Sequence, residues 1–326
     1  MLVALAMTAL AVGIWRLSGI LVIAFGGILF ATIFYSMAEP IARRTRLSLG
    51  AAVSLIVLLT LAGLVGLAWL VGERLWGELS QLANDLPGAW TRFQGFVADS
   101  PFGAATRDLG ESIRKHGSSV PQLAGYASTT MGAIANIVLL LFIGVFVAAD
   151  PQLYARGALL LLPCAARPGT QRAMNASAHA LRRWLLGQLI LMTCVAVLTG
   201  IGISLLRIPL AFSLAVLAGL LEFIPFVGPI AAAVPGILMG FTVDPATAVY
   251  AALLYIVIQQ VEGNVLQPLI QRWAVALPPA LSILSVVVFG VLFGLAGVIF
   301  ATPLMVVIKV MIQDLYVRTE EASAAG

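Results

Sequence analysis

Apolar runs of near-membrane length alternate with short charged clusters along the chain, and that alternation sets its layout. Residues 2–15 and 17–38 form two such runs parted by Arg16, and Arg43, Arg44 and Arg46 close the second. A third extends from about Leu47 to Val71. A membrane-crossing helix needs ~20 apolar residues, so three spans are expected here, the first of them short. The first run lacks a basic leader and reads as a membrane helix rather than a signal peptide.

From Gly72 to Thr130 the pattern changes. Glu73, Glu78, Asp85, Asp99, Asp108 and Glu111 are nearly balanced by Arg74, Arg92, Arg107, Arg114 and Lys115. Leu75, Trp76, Leu79 and Leu82, then Trp90, Phe93 and Val97, recur at helical spacing, which predicts amphipathic helices packed on the spans, the membrane surface or a neighbouring subunit. A fourth span is expected at 131–149 and a fifth at 185–206.

Composition changes the picture by fixing the solvent. With 61% hydrophobic and 10% charged residues and a mean hydropathy of +1.06, the chain cannot cover itself with polar surface and must face lipid. The net charge of +4 does not imply a nucleic-acid partner, because the basic residues flank apolar runs and no basic face with interleaved aromatics occurs. Arg43, Arg44 and Arg46 form one cytoplasmic cluster by the positive-inside rule. Arg156, Arg167, Arg172, Arg182 and Arg183 against Asp150 form another, and the two agree on a cytoplasmic N-terminus. Cys164 and Cys194 offer no disulfide framework or metal-ligand spacing. His116 and His179 fall on opposite sides of the expected membrane, so no catalytic constellation, metal site or cofactor motif is read here, and an enzyme is not expected.

The third of the chain after Arg207 holds the candidate chemistry. Residues 210–221 would rise only ~18 Å as a helix, too little for a hydrocarbon core of ~30 Å. Glu222-Phe-Ile-Pro225-Phe-Val-Gly228-Pro229 then interrupts the run, and a second short stretch covers Ile230 to Phe241. Two half-length helices meeting at prolines and a glycine predict a re-entrant hairpin whose loose backbone faces protein or a wet cavity; one long helix kinked at Pro225 is the alternative. A sixth span from Ala246 carries Gln259, Gln260, Glu262, Asn264 and Gln267 before Pro268. In an uninterrupted helix Gln260, Asn264 and Gln267 would share one face, with Gln259 and Glu262 on the adjoining flank. Singly, such amides commonly serve contacts between packed helices; together with Glu262 they suggest the lining of a hydrophilic path. From Pro278 to Lys309 a second long run is interrupted by Gly290, Gly294 and Gly297 and carries Pro303, giving either a second hairpin or a close-packed glycine face. The similarity of Pro209–Phe241 to Pro278–Lys309 suggests a paired repeat, the best pointer in sequence to a transporter's binding site. An ionisable group at membrane depth costs ~2.5 to 3.5 kcal/mol on insertion scales, which singles out Glu222 and Glu262. Desolvation disfavours charge, so neutral and ionised forms of both come within reach.

Three segments resemble the autoinducer-2 exporter family of bacterial membrane permeases: Glu222 to Pro229 with Pro235; Gln260-Val-Glu262-Gly-Asn264 with Pro268; and Gly290, Gly294, Gly297, Ala301, Pro303 and Leu304. The resemblance covers nearly the whole chain in segment order. It implies a homo-oligomeric exporter, with a pentamer as the leading expectation, that moves small polar signalling molecules or, in some members, exchanges cations for protons. The expected fold is an all-α membrane protein of seven to eight transmembrane helices, some of them re-entrant or broken. Its expected divisions are spans 1–71, an extracytoplasmic insertion 72–130, spans 131–206 with a basic connection, a transport core 207–312 and a cytoplasmic tail 313–326. The expected partners are the bacterial inner membrane and a small polar solute, or a monovalent cation and a proton. An elevator-like movement of the hairpin unit would carry transport, with Glu222, Pro225, Gly228, Gln259, Gln260, Glu262, Asn264 and Gln267 at the binding site and Pro229, Pro268, Gly290, Gly294, Gly297 and Pro303 at the tips and breaks.

Overall fold

A computed structural model of the chain describes residues 2–45, 47–98, 130–275 and 277–317. Arg46, the charges from Asp99 to Lys115, His116 and the tail from residue 318 lie outside the described residues. All regular structure among the described residues is helical: α1 (Leu2–Arg44), α2 (Leu49–Ala98), α3 (Thr130–Ala149), α4 (Pro151–Leu160), α5 (Arg167–Leu205), α6 (Ala211–Leu221), α7 (Val227–Val243), α8 (Pro245–Val261), α9 (Gln267–Gln271) and α10 (Pro279–Ile312). The all-α membrane class read from composition therefore holds. Among the described residues Val22–Arg44, Cys164–Leu205, Pro245–Ile270 and Pro279–Tyr316 are long and apolar enough to cross a bilayer, and there are two bent pairs besides, Leu49–Gly63 with Ala68–Ala98 and Leu139–Ala149 with Pro151–Leu160, which bring the number to six only where each pair counts as one span.

Two expected boundaries are absent. The runs at 2–15 and 17–38 continue as one helix through Arg16, because arginine is a good helix former and a lone charge leaves the backbone ladder intact. Likewise α2 passes Gly72 and reaches Ala98 with Pro87 inside it, so the part of the insertion at 72–98 is a prolongation of the third span. A single glycine costs a helix only ~1 kcal/mol.

The chain folds into two compact units, one of 1–64, 136–189 and 269–326, the other of 65–135 and 190–268. In the first, Ala31, Phe34 and Ala38 of α1 pack with Ala52, Val53 and Ile56 of α2 and with Ala148 of α3. Glycines let α1 and α3 approach closely: a Cβ on Gly144 would meet Phe30 at 2.8 Å and the Gly27 carbonyl at 3.2 Å. Small residues at such seams bring helix backbones together where lipid supplies no hydrophobic drive. Arg182 of α5 reaches α1, 3.5 Å from the Glu39 carboxylate, and donates to the Ser36 carbonyl.

In the second unit, Leu82 of α2 packs with Ile203, Leu214, Met239 and Ala251. The outer part of α2 also braces the broken segment formed by α6 and α7. Glu78 accepts from the Ser213 backbone N–H at 3.1 Å in the first turn of α6, while Arg92 donates to the Thr242 carbonyl at 2.8 Å at the end of α7. An anion at a helix start and a cation at a helix end both oppose the macrodipole, and each adds roughly 0.3–1 kcal/mol. Arg74 orients Glu78 at 2.9 Å and lies over the Phe212 ring. The Arg74–Glu78 spacing was visible in sequence as a helical i, i+4 pair; its docking on α6 was not, since it joins residues far apart in the chain.

Candidate functional site

The interrupted segment at 211–243 is a hairpin and not a kinked helix. Ala218 of α6 and Ala232 of α7, equally far from Pro225, share one buried cluster with Val195 and Ile258. At the tip Glu222 ends α6, the Pro225 carbonyl accepts from Val227 and the Ile224 carbonyl from Gly228, both at 2.8 Å, and Phe226 takes φ 66°. Gly228 sits against the Leu221 carbonyl, where a Cβ would collide, so the reversal requires glycine there. Pro229 falls in the first turn of α7, where a missing N–H costs nothing.

The second run breaks at Gly294, with φ 63° and ψ −147° inside α10. Gly290 lies beside Val298, and Gly297 lies on the Phe289 carbonyl, so the two arms run side by side next to the break. Pro303 is buried within the second arm. Gly290, Gly294 and Gly297 thus sit at a break rather than along the face of an unbroken helix.

The sixth span closes the site. Pro268 has no N–H for the Asn264 carbonyl, and the backbone answers by widening: residues Glu262–Leu266 form a π-helical turn in which the Gln267 N–H bonds the Glu262 carbonyl. Such single π turns recur at functional sites. The extra residue rotates the remainder of the helix, and this rotation corrects the expected polar face. Gln267 leaves Gln260 and Asn264 and donates to Glu262 Oε1 at 2.9 Å, while Gln259 donates to Oε2 at 3.0 Å. Gln260 and Asn264 stay on the exposed side, where the Asn264 amide donates to the Gln260 carbonyl at 3.0 Å.

Glu222 and Glu262 come together. They are 1% and 3% exposed, and their carboxyls are hydrogen-bonded to each other. A carboxyl–carboxyl hydrogen bond exists only while one partner keeps its proton. Both side chains of the Gln259–Gln267 pair donate into the same carboxyl, so the cluster brings two acids and two amides together out of solvent. Pro225 and Gly228 shape the backbone beside it. Tyr255 of α8, which sequence reasoning did not single out, packs its ring on Gly236 of α7, and its buried hydroxyl has no hydrogen-bond partner. No group of three or more His, Cys, Asp or Glu suited to a metal ion occurs among the described residues.

Residues 2–317 match the model of the AI-2E family transporters. The chain belongs to this family. It is therefore a multi-pass membrane transporter by family, as the resemblance implied. Among its relatives, "Putative transport protein YueF" of Bacillus subtilis is 25% identical, with 87% of this chain and 82% of that protein covered. "Putative permease PerM" of Escherichia coli is 26% identical over 80% of this chain and 78% of its own length. The "AI-2 transport protein TqsA" of Escherichia coli is 28% identical over 60% of each chain.

Proposed function

We propose that this protein is a secondary transporter of the bacterial inner membrane that exports a small polar signalling molecule or metabolite. The observation that carries this reading is the Glu222–Glu262 pair, held at the hairpin tip and the π turn with Gln259 and Gln267 donating into it. The amides supply Glu262 with donors, which leaves Glu222 to carry the shared proton. A polar solute entering the cluster would exchange its hydroxyls for these hydrogen bonds, and release of the proton would couple its passage to the gradient. Support for autoinducer-2 as the solute comes from the name of TqsA alone. The shared proton equally favours a second reading, a Na+ or Li+/proton antiporter, in which the carboxyl pair trades its proton for a cation.

The mobile part in this proposal is the first hairpin with the sixth span, which belong to one compact unit, moving in an elevator-like manner. Arg43 and Arg44 assign the end of α1 to the cytoplasm; because α1 is one continuous helix and not the two spans expected, the expected cytoplasmic N-terminus does not follow from them. A homo-oligomer, with five subunits as the expected count, is supported by the broad apolar face of α2, where Trp69 and Trp76 are 83% and 75% exposed.

The test is flux in proteoliposomes with labelled polar signal molecule and a pH-sensitive dye in parallel. Solute flux that disappears in Glu222→Gln and Glu262→Gln supports export. Cation-dependent proton movement without solute flux selects the antiporter, and flux unchanged in both variants overturns the site.

A further inference from the structure

The chain turns through 90° between Leu139–Ala149 and Pro151–Leu160, and the corner is built to last. Asp150 accepts from the Leu153 N–H at 3.1 Å, and Pro151 takes the first helical position of α4, where its fixed φ suits a helix start. From the far side, Arg167 donates through Nε to the Leu162 carbonyl at 3.1 Å, which ties the start of α5 to the end of α4. A helix at right angles to a membrane-crossing helix lies along the membrane plane.

Its faces are unequal. Leu159 is buried, while Leu153, Tyr154, Leu160 and Leu161 are 62%, 46%, 67% and 87% exposed. At 100° per residue these four fall within one arc of about 120°, with Gly157 inside it. Arg156 borders the arc, bonded only loosely to Gln152 at 3.3 Å, and Arg172 is exposed early in α5. An apolar stripe edged by a guanidinium group and lying in the membrane plane, with a second exposed arginine following in the chain, is the pattern of an interfacial helix that prefers anionic lipid.

We propose that α4, with Arg156 at its edge and Arg172 beyond it in the chain, is a binding surface for anionic phospholipid, its apolar face entering the acyl boundary while the exposed guanidinium charge attracts the phosphate. The occupant follows from charge: between Asp150 and Trp184, five arginines, Arg156, Arg167, Arg172, Arg182 and Arg183, stand against Asp150 alone. An acidic lipid headgroup meets that excess, and a zwitterionic one does not. Each exposed arginine strengthens such binding roughly fivefold.

The experiment uses the full chain in detergent with Cys194→Ser, so that an environment-sensitive fluorophore reports from Cys164, an exposed residue just beyond α4. The protein is titrated with short-chain phosphatidylglycerol, short-chain phosphatidylcholine and inorganic phosphate. The expected result is a blue shift with phosphatidylglycerol at far lower concentration than with phosphatidylcholine, none with phosphate, and a half-saturation point raised roughly 25-fold by Arg156→Gln with Arg172→Gln. Equal response to both lipids, a response to phosphate alone, or a double variant titrating like the wild type overturns the proposal. Should the double variant fail to fold, high salt on the wild type replaces it, and a lipid preference that survives the salt overturns the proposal equally. A Glu222→Gln protein must keep the lipid response, which separates this surface from the transport site.

Discussion

The chain breaks an apolar run twice, and the two breaks differ in what they carry. At the first, Phe226 and Gly228 turn the backbone and Glu222 stands at the tip beside Glu262. At the second, Gly294 turns the backbone alone, and the neighbours are Phe289, Phe293 and Val298. The steric device is shared: Gly228 lies on the Leu221 carbonyl as Gly297 lies on the Phe289 carbonyl. A reversal inside an apolar segment thus needs glycine against the opposite arm, whereas chemistry needs an acid with a partner brought by another helix. The first break has both and the second only the former.

The largest expected effect tests that division. Removing a hydrogen-bonding acid from the cluster forfeits ~1.5–3 kcal/mol per charged hydrogen bond, so Glu222→Gln or Glu262→Gln should lower transport by about tenfold to a hundredfold while the thermal midpoint holds. Gly294→Ala should do the reverse, since a side chain at its positive φ costs about 1–2 kcal/mol: a lower midpoint in detergent, with solute specificity unchanged. Transport lost in Gly294→Ala at an unaltered midpoint would break the comparison. Gly228→Ala and Gly297→Ala should lower the midpoint alike, each by ~1–3 kcal/mol of overpacking, and a tolerant Gly297 would show that only the first reversal is tight.

A smaller effect sharpens the comparison at the amides. Gln259→Leu should weaken transport severalfold by stripping a donor worth ~0.5–1.5 kcal/mol from Glu262, and Gln260→Leu should leave it within error. Equal losses in a flux assay would place both amides on the solute path. The smallest effect is at Asp244, which precedes α8. Hydrogen bonds from the Thr247 hydroxyl at 2.7 Å and backbone N–H at 2.8 Å hold its carboxyl below the usual aspartate range. The stability it contributes is present above the unfolded pKa of about 3.9 and is lost as pH falls through the lower folded value. The midpoint should therefore sag slightly more on acidification in the wild type than in Asp244→Asn.

The breaks and the acids were legible because their signals are local. Pro225, Pro229, Gly228 and the Gly290–Gly297 triplet act on their own backbone, and Glu222 and Glu262 stand out by the cost of charge in lipid. Continuity was not legible: Arg16 and Gly72 look like boundaries in a hydropathy profile, yet neither removes a backbone hydrogen bond. The exchange of partners by Gln267 also escaped, because it depends on how the helix accommodates Pro268 and not on which residues are present. The bracing of α6 and α7 by Glu78 and Arg92 joins segments more than a hundred residues apart, beyond the reach of spacing.

The π turn at Glu262–Leu266 is a single surplus residue held in place by a proline, so the two ends of the sixth span are out of phase with each other by about 100° relative to an unbroken α-helix. Pro268→Ala would restore the backbone N–H that an α-helical turn needs, without removing any polar side chain. The helix would gain regularity, Gln267 would swing away from Glu262, and a chain with every binding residue still present would lack the arrangement that makes them a site.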